Sequence, residues 1–193
     1  MRIGIAHHLG WAAAVTATAG YEVVDRRRIE LIEPGVPNAP VHHEGGPYAM
    51  HRAAAPLTDD ELAALVAAVR ASVRRSTAMA LDGLAQLASA CPEPIVSLSV
   101  RAWPAGFPDD IATQRRVPFE SRADSIMYCQ VLAEIAGERG WQVHLYEAKR
   151  VEQQACVLLG VRAEEVLRAP RARLGSPWTS DHRQALAATI VAT

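Results

Sequence analysis

Apolar and polar positions divide the chain into short strand-like and longer helix-like periods. Two apolar runs, 3–9 (IGIAHHL) and 11–18 (WAAAVTAT), meet at Gly10, and 21–32 (YEVVDRRRIELI) alternates charged with apolar residues. A period of two marks a half-buried strand, so three consecutive antiparallel strands are expected here. Residues 33–56 carry Pro34, Gly35, Pro37, Pro40, Gly45, Gly46, Pro47 and Pro56. This predicts a long irregular excursion, packed back on the sheet edge through Val41, Tyr48 and Met50.

The period then changes to that of a helix. Thr58-Asp59-Asp60-Glu61 matches the S/T-x-x-E capping box, and Leu62, Leu65, Val66, Val69 and Val73 follow at helical spacing. The apolar pattern continues through Met79, Leu81, Leu84 and Leu87 towards Cys91, and Pro92 and Pro94 end it. IVSLSV (95–100) is rich in β-branched residues and reads as a buried strand ending at Arg101. An irregular segment to about Phe119 precedes a second capping pattern at Ser121 and Asp124. Ile126, Met127, Val131, Leu132 and Ile135 give the helix that follows an apolar face up to Gly140. WQVHLY (141–146) is a strand with Val143 and Leu145 on one side. Two short helices, about 148–159 and 162–168, lead to a last helix near 180–191.

The order β-β-β-α-β-α-β-α predicts an α/β fold, a five-stranded mixed sheet with helices on both faces. A length of 193 residues suits one domain, 1–193, with the excursion at 33–56. Net charge is −1 and 21% of residues are charged, which argues against a nucleic-acid partner. The Arg26-Arg27-Arg28 run reads as a solvated edge beside Asp25 and Glu30. Three well-separated cysteines (Cys91, Cys129, Cys156) suggest neither a disulfide framework nor a thiolate metal site, which fits a reducing cytoplasm. Cys129 and Cys156 read as packed helix residues. No segment is apolar for long enough to span a bilayer, and His7, His8 and Gly10 interrupt what would be a signal-peptide core. The excess of arginine, Lys149 being the one lysine, reads as the codon bias of a GC-rich genome.

The element order resembles the ribonuclease H-like superfamily over nearly the whole chain. "GIAHHLGWAAAV" is similar to the first hairpin of that superfamily, where a "GID" sequence brings a metal-binding aspartate to the sheet centre. Here Ala6 stands at that position. "SDHRQALAATIVA" is similar to the "D-x-x-D-A" start of the last helix in resolvases, with Asp181 in the first acidic place and Gln184 in the second, and Arg101 stands where the fourth strand would end in an acid. Two-metal nucleases need clustered carboxylates, so the departure at Ala6 argues against the usual nuclease activity. At a finer level, "RRRIELIEPG", "HHEGGP", "RVPFESRADS" and "WTSDHRQALAAT" are similar to a family of uncharacterised bacterial proteins.

The candidate chemistry concentrates in His7 and His8, in His42-His43-Glu44, and in Asp181-His182. In the expected fold the first strand's end, the fourth strand's end and the last helix's start form one crevice. His8, Asp181 and His182 are the candidate catalytic residues, and His7, Arg101 and Arg122 the candidate substrate-binding ones. A divalent metal held by His8, His43, Asp181 and His182 is chemically adequate, as is a phosphate held by His and Arg. The bland readings are that Asp181 and Asp124 cap their helices and that HHEGG is a polar loop. Two functions follow: a hydrolase on a phosphate-containing or nucleotide-like substrate, or a catalytically inactive member of the fold that binds a ligand or protein. Oligomeric state stays open, a homo-oligomer included.

Overall fold

The computed structural model describes residues 1–47, 55–88 and 93–192. Strands β1 (Arg2–His7), β2 (Trp11–Ala17), β3 (Val23–Glu30), β4 (Ser97–Arg101) and β5 (Gln142–Tyr146) form one mixed sheet in the order β3-β2-β1-β4-β5. The three N-terminal strands are antiparallel, whereas β1–β4 and β4–β5 are parallel. As the sequence predicts, the first strand lies beside the fourth. A parallel pair needs a crossover, and helices α1 (Asp59–Ala88) and α3 (Glu120–Glu138) supply the two that lead into and out of β4.

Alternation along β1 sorts its residues between two cores. Ile3 and Ile5 pack with Val69, Val73, Leu81 and Leu84 of α1 and with Val131, Leu132 and Ile135 of α3. Ala6 faces the other way, towards α4 (Val151–Leu159) and α7 (Ser180–Val191), whose Ala155, Ala185, Leu186 and Ile190 fill the second core. Gly4 belongs to this second face: a Cβ there would lie 1.8 Å from the Ala185 carbonyl oxygen, so only glycine admits the helix at that height. The small-residue run of β2 serves the same end, since Ala13, Val15 and Ala17 let α7 settle close to the sheet.

Local signals explain several helix starts. Glu61 accepts from the Thr58 amide at 2.8 Å, and Thr58 Oγ1 accepts from the Glu61 amide at 3.3 Å, closing the expected capping box at α1. In the segment read as irregular before Phe119 there is one short helix, α2 (Ile111–Gln114), capped by Asp110, whose Oδ1 accepts from the Thr113 amide. Beyond α4, a 3₁₀ turn (Gly160–Arg162) precedes α5 (Ala163–Leu167), and α6 (Pro170–Leu174) fills a stretch the sequence left as a connection, Pro170 serving as a first-turn residue.

Three sequence expectations are corrected. Asp124 does not cap its own helix; α3 has no side-chain cap, and Ser121 Oγ donates to the Pro118 carbonyl instead. Asp124 Oδ1 and Oδ2 accept from the Val41 and His42 amides at 3.1 and 2.9 Å, so the carboxylate caps a neighbouring turn. That turn is π-helical, Val41–Gly45, and it pins the excursion to the start of α3 with Val41 buried, whereas Tyr48 and Met50 lie outside the described residues. Cys156 is exposed rather than packed, because α4 buries its Val151–Ala155–Leu159 face against α7 and turns Cys156 outward. Cys91 is outside the described residues. Arg26 leaves the solvated edge to donate to the Leu174 and Gly175 carbonyls, while Arg27 and Arg28 pair with Asp25 and Glu30 as read.

Candidate functional site

The period of two that sorts Ile3 and Ile5 from Gly4 and Ala6 also separates the two histidines. His7, the last residue of β1, continues the Ile3–Ile5 side towards α3, and His8 continues the Gly4–Ala6 side towards α7. The backbone turns at once: the His8 amide donates to the Trp11 carbonyl at 2.8 Å, and Gly10 takes the positive φ of 87° that the turn requires.

His7 is sealed, at 2% exposure. Its Nε2 is hydrogen-bonded to Ser125 Oγ at 2.9 Å, and Cys129 Sγ lies 3.4 and 3.5 Å from its two ring nitrogens. Burial, then the nearby Arg101 guanidinium and His8, push its pKa down to about 3 against the hydrogen bond to Ser125, so His7 is a neutral imidazole. Burial likewise pushes the Cys129 thiol up to about 12, Arg101 opposing, which leaves it an unreactive thiol.

His8 is open to solvent and carries the site. Its Nε2 lies 3.1 Å from Asp181 Oδ2, on the first turn of α7. Its ring stacks on Trp11, with centroids 4.2 Å apart and planes at 12°, and the Arg28 guanidinium lies 4.2 Å from the Trp11 centroid. An ionised carboxylate can only accept, so the bond to Asp181 uses a proton on His8 Nε2, and in the neutral imidazole the lone pair then stands on Nδ1.

Arg101 ends β4 in register with Tyr146, whose hydroxyl feels both Arg101 and Asp181. It takes part in none of the ion pairs among the described residues, and its Nε is buried without a hydrogen-bond partner. The floor is polar and fully engaged: Tyr146 donates to the Ile5 carbonyl at 2.6 Å and accepts from Gln184 Nε2 at 3.1 Å. Burial pushes the Tyr146 phenol up to about 12, with Arg101 acting downward and Asp181 upward. One hydroxyl thus senses the charges from both walls.

His182 is not part of this constellation. Its Nδ1 accepts from the Thr179 amide at 3.1 Å and its ring stacks near Trp178, while Thr179 Oγ1 accepts from the helix. Histidine stands where a capping box ordinarily has glutamate, and Thr179 rather than Asp181 is the N-cap. Burial and Arg26 hold the His182 imidazole below its ordinary range, with Asp181 opposing. Asp181, freed from capping, instead meets His8. Arg122 is exposed on the first turn of α3, and His43 sits on the π-helical turn beside His42, with ring centroids 5.5 Å apart. Among the described residues no three His, Cys, Asp or Glu side chains converge to hold a metal ion. The metal set His8, His43, Asp181 and His182 is therefore corrected to a His8–Asp181 pair: the cap occupies His182 and the π-helical turn carries His43.

Asp124 is the other perturbed group. Burial pushes its carboxyl up to about 6 against the two amide bonds from the π-helical turn. Trp11, Ser125 and Tyr146 were missed from sequence, although Trp11 and Tyr146 stand at the ends of strands that were recognised. No protein-family model matches the chain, and no curated protein matches it.

Proposed function

We propose that the crevice at the carboxyl edge of β1 and β4 binds a phosphate-containing, nucleotide-like ligand and hydrolyses it, with Arg101 gripping the anion and His8 acting as general acid–base under the control of Asp181. The observation that carries this reading is Arg101: a guanidinium without a carboxylate partner among the described residues, one nitrogen buried and unbonded, acting on the same Tyr146 phenol as Asp181, which in turn pairs with His8. A partly desolvated cation without a counter-ion favours an incoming anion, and guanidinium matches phosphate geometry. His8 Nδ1 is the lone pair available to take a proton from water, and Asp181 stabilises the imidazolium that results.

The strand order β3-β2-β1-β4-β5, with β2 alone antiparallel to its two neighbours, supports kinship with the ribonuclease H-like superfamily and, within it, with the uncharacterised bacterial family the sequence resembles. Ala6 favours a second reading, because β1 brings no carboxylate to the sheet centre: a ligand-binding member of the fold without chemistry. No helix among the described residues is long and apolar enough to cross a membrane.

One experiment separates the readings. Nucleoside mono-, di- and triphosphates are tested for binding by calorimetry and for phosphate release, on the wild type and on Arg101→Gln, His8→Asn and Asp181→Asn. The hydrolase reading expects Arg101→Gln to lose binding, and the other two to bind while turnover falls at least a hundredfold. Binding that depends on Arg101 with no turnover in any form supports the second reading. Binding unaffected by Arg101→Gln overturns both.

A further inference from the structure

A cavity whose lining includes none of His8, Arg101 and Asp181 lies against α3. It has a volume of about 520 Å³ and is walled by α1, α3 and the segment between β4 and α2. That volume is in the range of small-molecule sites. Its apolar lining includes Trp103, Phe107 and Met127, two aromatic rings and a thioether. Phe107 is braced edge-on against Phe119, with centroids 5.8 Å apart and planes at 81°, and Trp103 packs against the main core, so both aromatic walls are anchored.

The charges around the cavity are unequal in kind. Arg70 and Glu134 both line it, but they pair with each other, and Glu134 also accepts from Arg74 at 3.0 Å. These charges are spent. Asp109, also in the lining, is exposed and forms no ion pair among the described residues. The lining therefore offers aromatic surface, polarisable sulfur and one uncompensated carboxylate, with its only cation neutralised. Aromatic faces carry negative potential and attract a cation, and the carboxylate adds to that attraction. A neutral apolar guest would leave Asp109 unanswered, and an anion would be repelled by it.

From this charge complementarity we infer that the cavity binds a small organic cation, an ammonium group carried on an aromatic or aliphatic body. The body fills the space between Trp103, Phe107 and Met127, and the ammonium lies towards Asp109.

The test uses three probes of similar size: benzyltrimethylammonium, benzyl alcohol and benzoate. Binding to the full-length protein is followed by NMR through the Trp103 indole N–H and the Gln130 side-chain amide, which also lines the cavity. Benzyltrimethylammonium is expected to bind saturably, at least fivefold more tightly than benzyl alcohol, with benzoate weakest. Asp109→Asn is expected to remove the preference for the cation over the alcohol. As Asp109 is exposed, its melting temperature should match the wild type and exclude a folding defect. Trp103→Phe is expected to weaken the cation while preserving the order of the three probes. Failure of the cation to saturate at millimolar concentration would overturn the inference. So would equal affinity for cation and alcohol, or a preference that survives Asp109→Asn.

Discussion

His7 is a buried neutral imidazole, and folding therefore opposes its protonation. In the unfolded chain it titrates near 6.5, but in the native state only near 3. Between these values the unfolded chain binds one proton more, so the stability His7 contributes is complete above about pH 6.5 and is lost as pH falls towards 3. Each pH unit in that window removes about 1.4 kcal/mol, which makes the loss about 3 kcal/mol near pH 4.5 and about 5 kcal/mol at the acid end. Asp124 acts in the opposite direction. Its carboxyl is raised from 3.8 to about 6, so between those values the native state binds the extra proton and gains stability on acidification. The wild-type curve alone thus blends two opposed slopes, and a variant is needed to separate them.

His7→Gln keeps a hydrogen-bonding side chain facing Ser125 and removes the titration. Urea unfolding of both proteins, at about pH 8 down to about pH 4.5, gives the difference curve in which Asp124 cancels. At the alkaline end the variant should be the less stable, by about 1–2 kcal/mol, for imperfect packing in the sealed site. The gap should shrink by about 1.4 kcal/mol per pH unit below 6.5 and change sign before about pH 4.5. Parallel curves would refute the reasoning, because they would mean that His7 titrates alike in both states.

Other perturbations test the frame around the crevice. Gly4→Ala should cost roughly 3 kcal/mol or more in thermal unfolding, since its methyl would meet the Ala185 carbonyl and push α7 from the sheet; an unchanged melting temperature would contradict that contact. Asp124→Ala orphans the Val41 and His42 amides, so about 2 kcal/mol of stability should be lost and both amides should exchange with deuterium much faster. Tyr146→Phe leaves the buried Ile5 carbonyl without its donor and Gln184 without its acceptor, for a loss of about 1–2 kcal/mol by urea unfolding.

How far the fold was legible depended on whether the governing interaction was local. The capping box at Thr58, the period of two in β3 and the helical stripes of α1 and α3 are written within a few residues, and each is present. The approach of β1 to β4 follows from the element order. Side-chain roles were less legible because they depend on partners far along the chain. Asp124 looks like a cap for α3 until the π-helical turn, some eighty residues earlier in sequence, donates two amides to it. His182 looks like a free imidazole, yet a threonine three residues away claims Nδ1. That pairing was local and readable in principle, but histidine is an unusual occupant of the glutamate position. The proximity of His8 to Asp181 was expected from topology, whereas the burial of His7 beneath α3 was not drawn, although strand alternation places it on the Ile3–Ile5 side.

The close approach at Gly4 also fixes the register of the hairpin that carries His8. Sliding β1 by one residue along β2 would still leave an imidazole at one of the two hairpin-tip positions, because His7 and His8 are adjacent in the chain. The slide would, however, bring Ile3 or Ile5 into the place of Gly4, where even one Cβ would lie 1.8 Å from the Ala185 oxygen. The missing side chain at Gly4 thus excludes the neighbouring frame that the two histidines would tolerate, and a residue with no chemistry of its own decides which imidazole reaches the solvent.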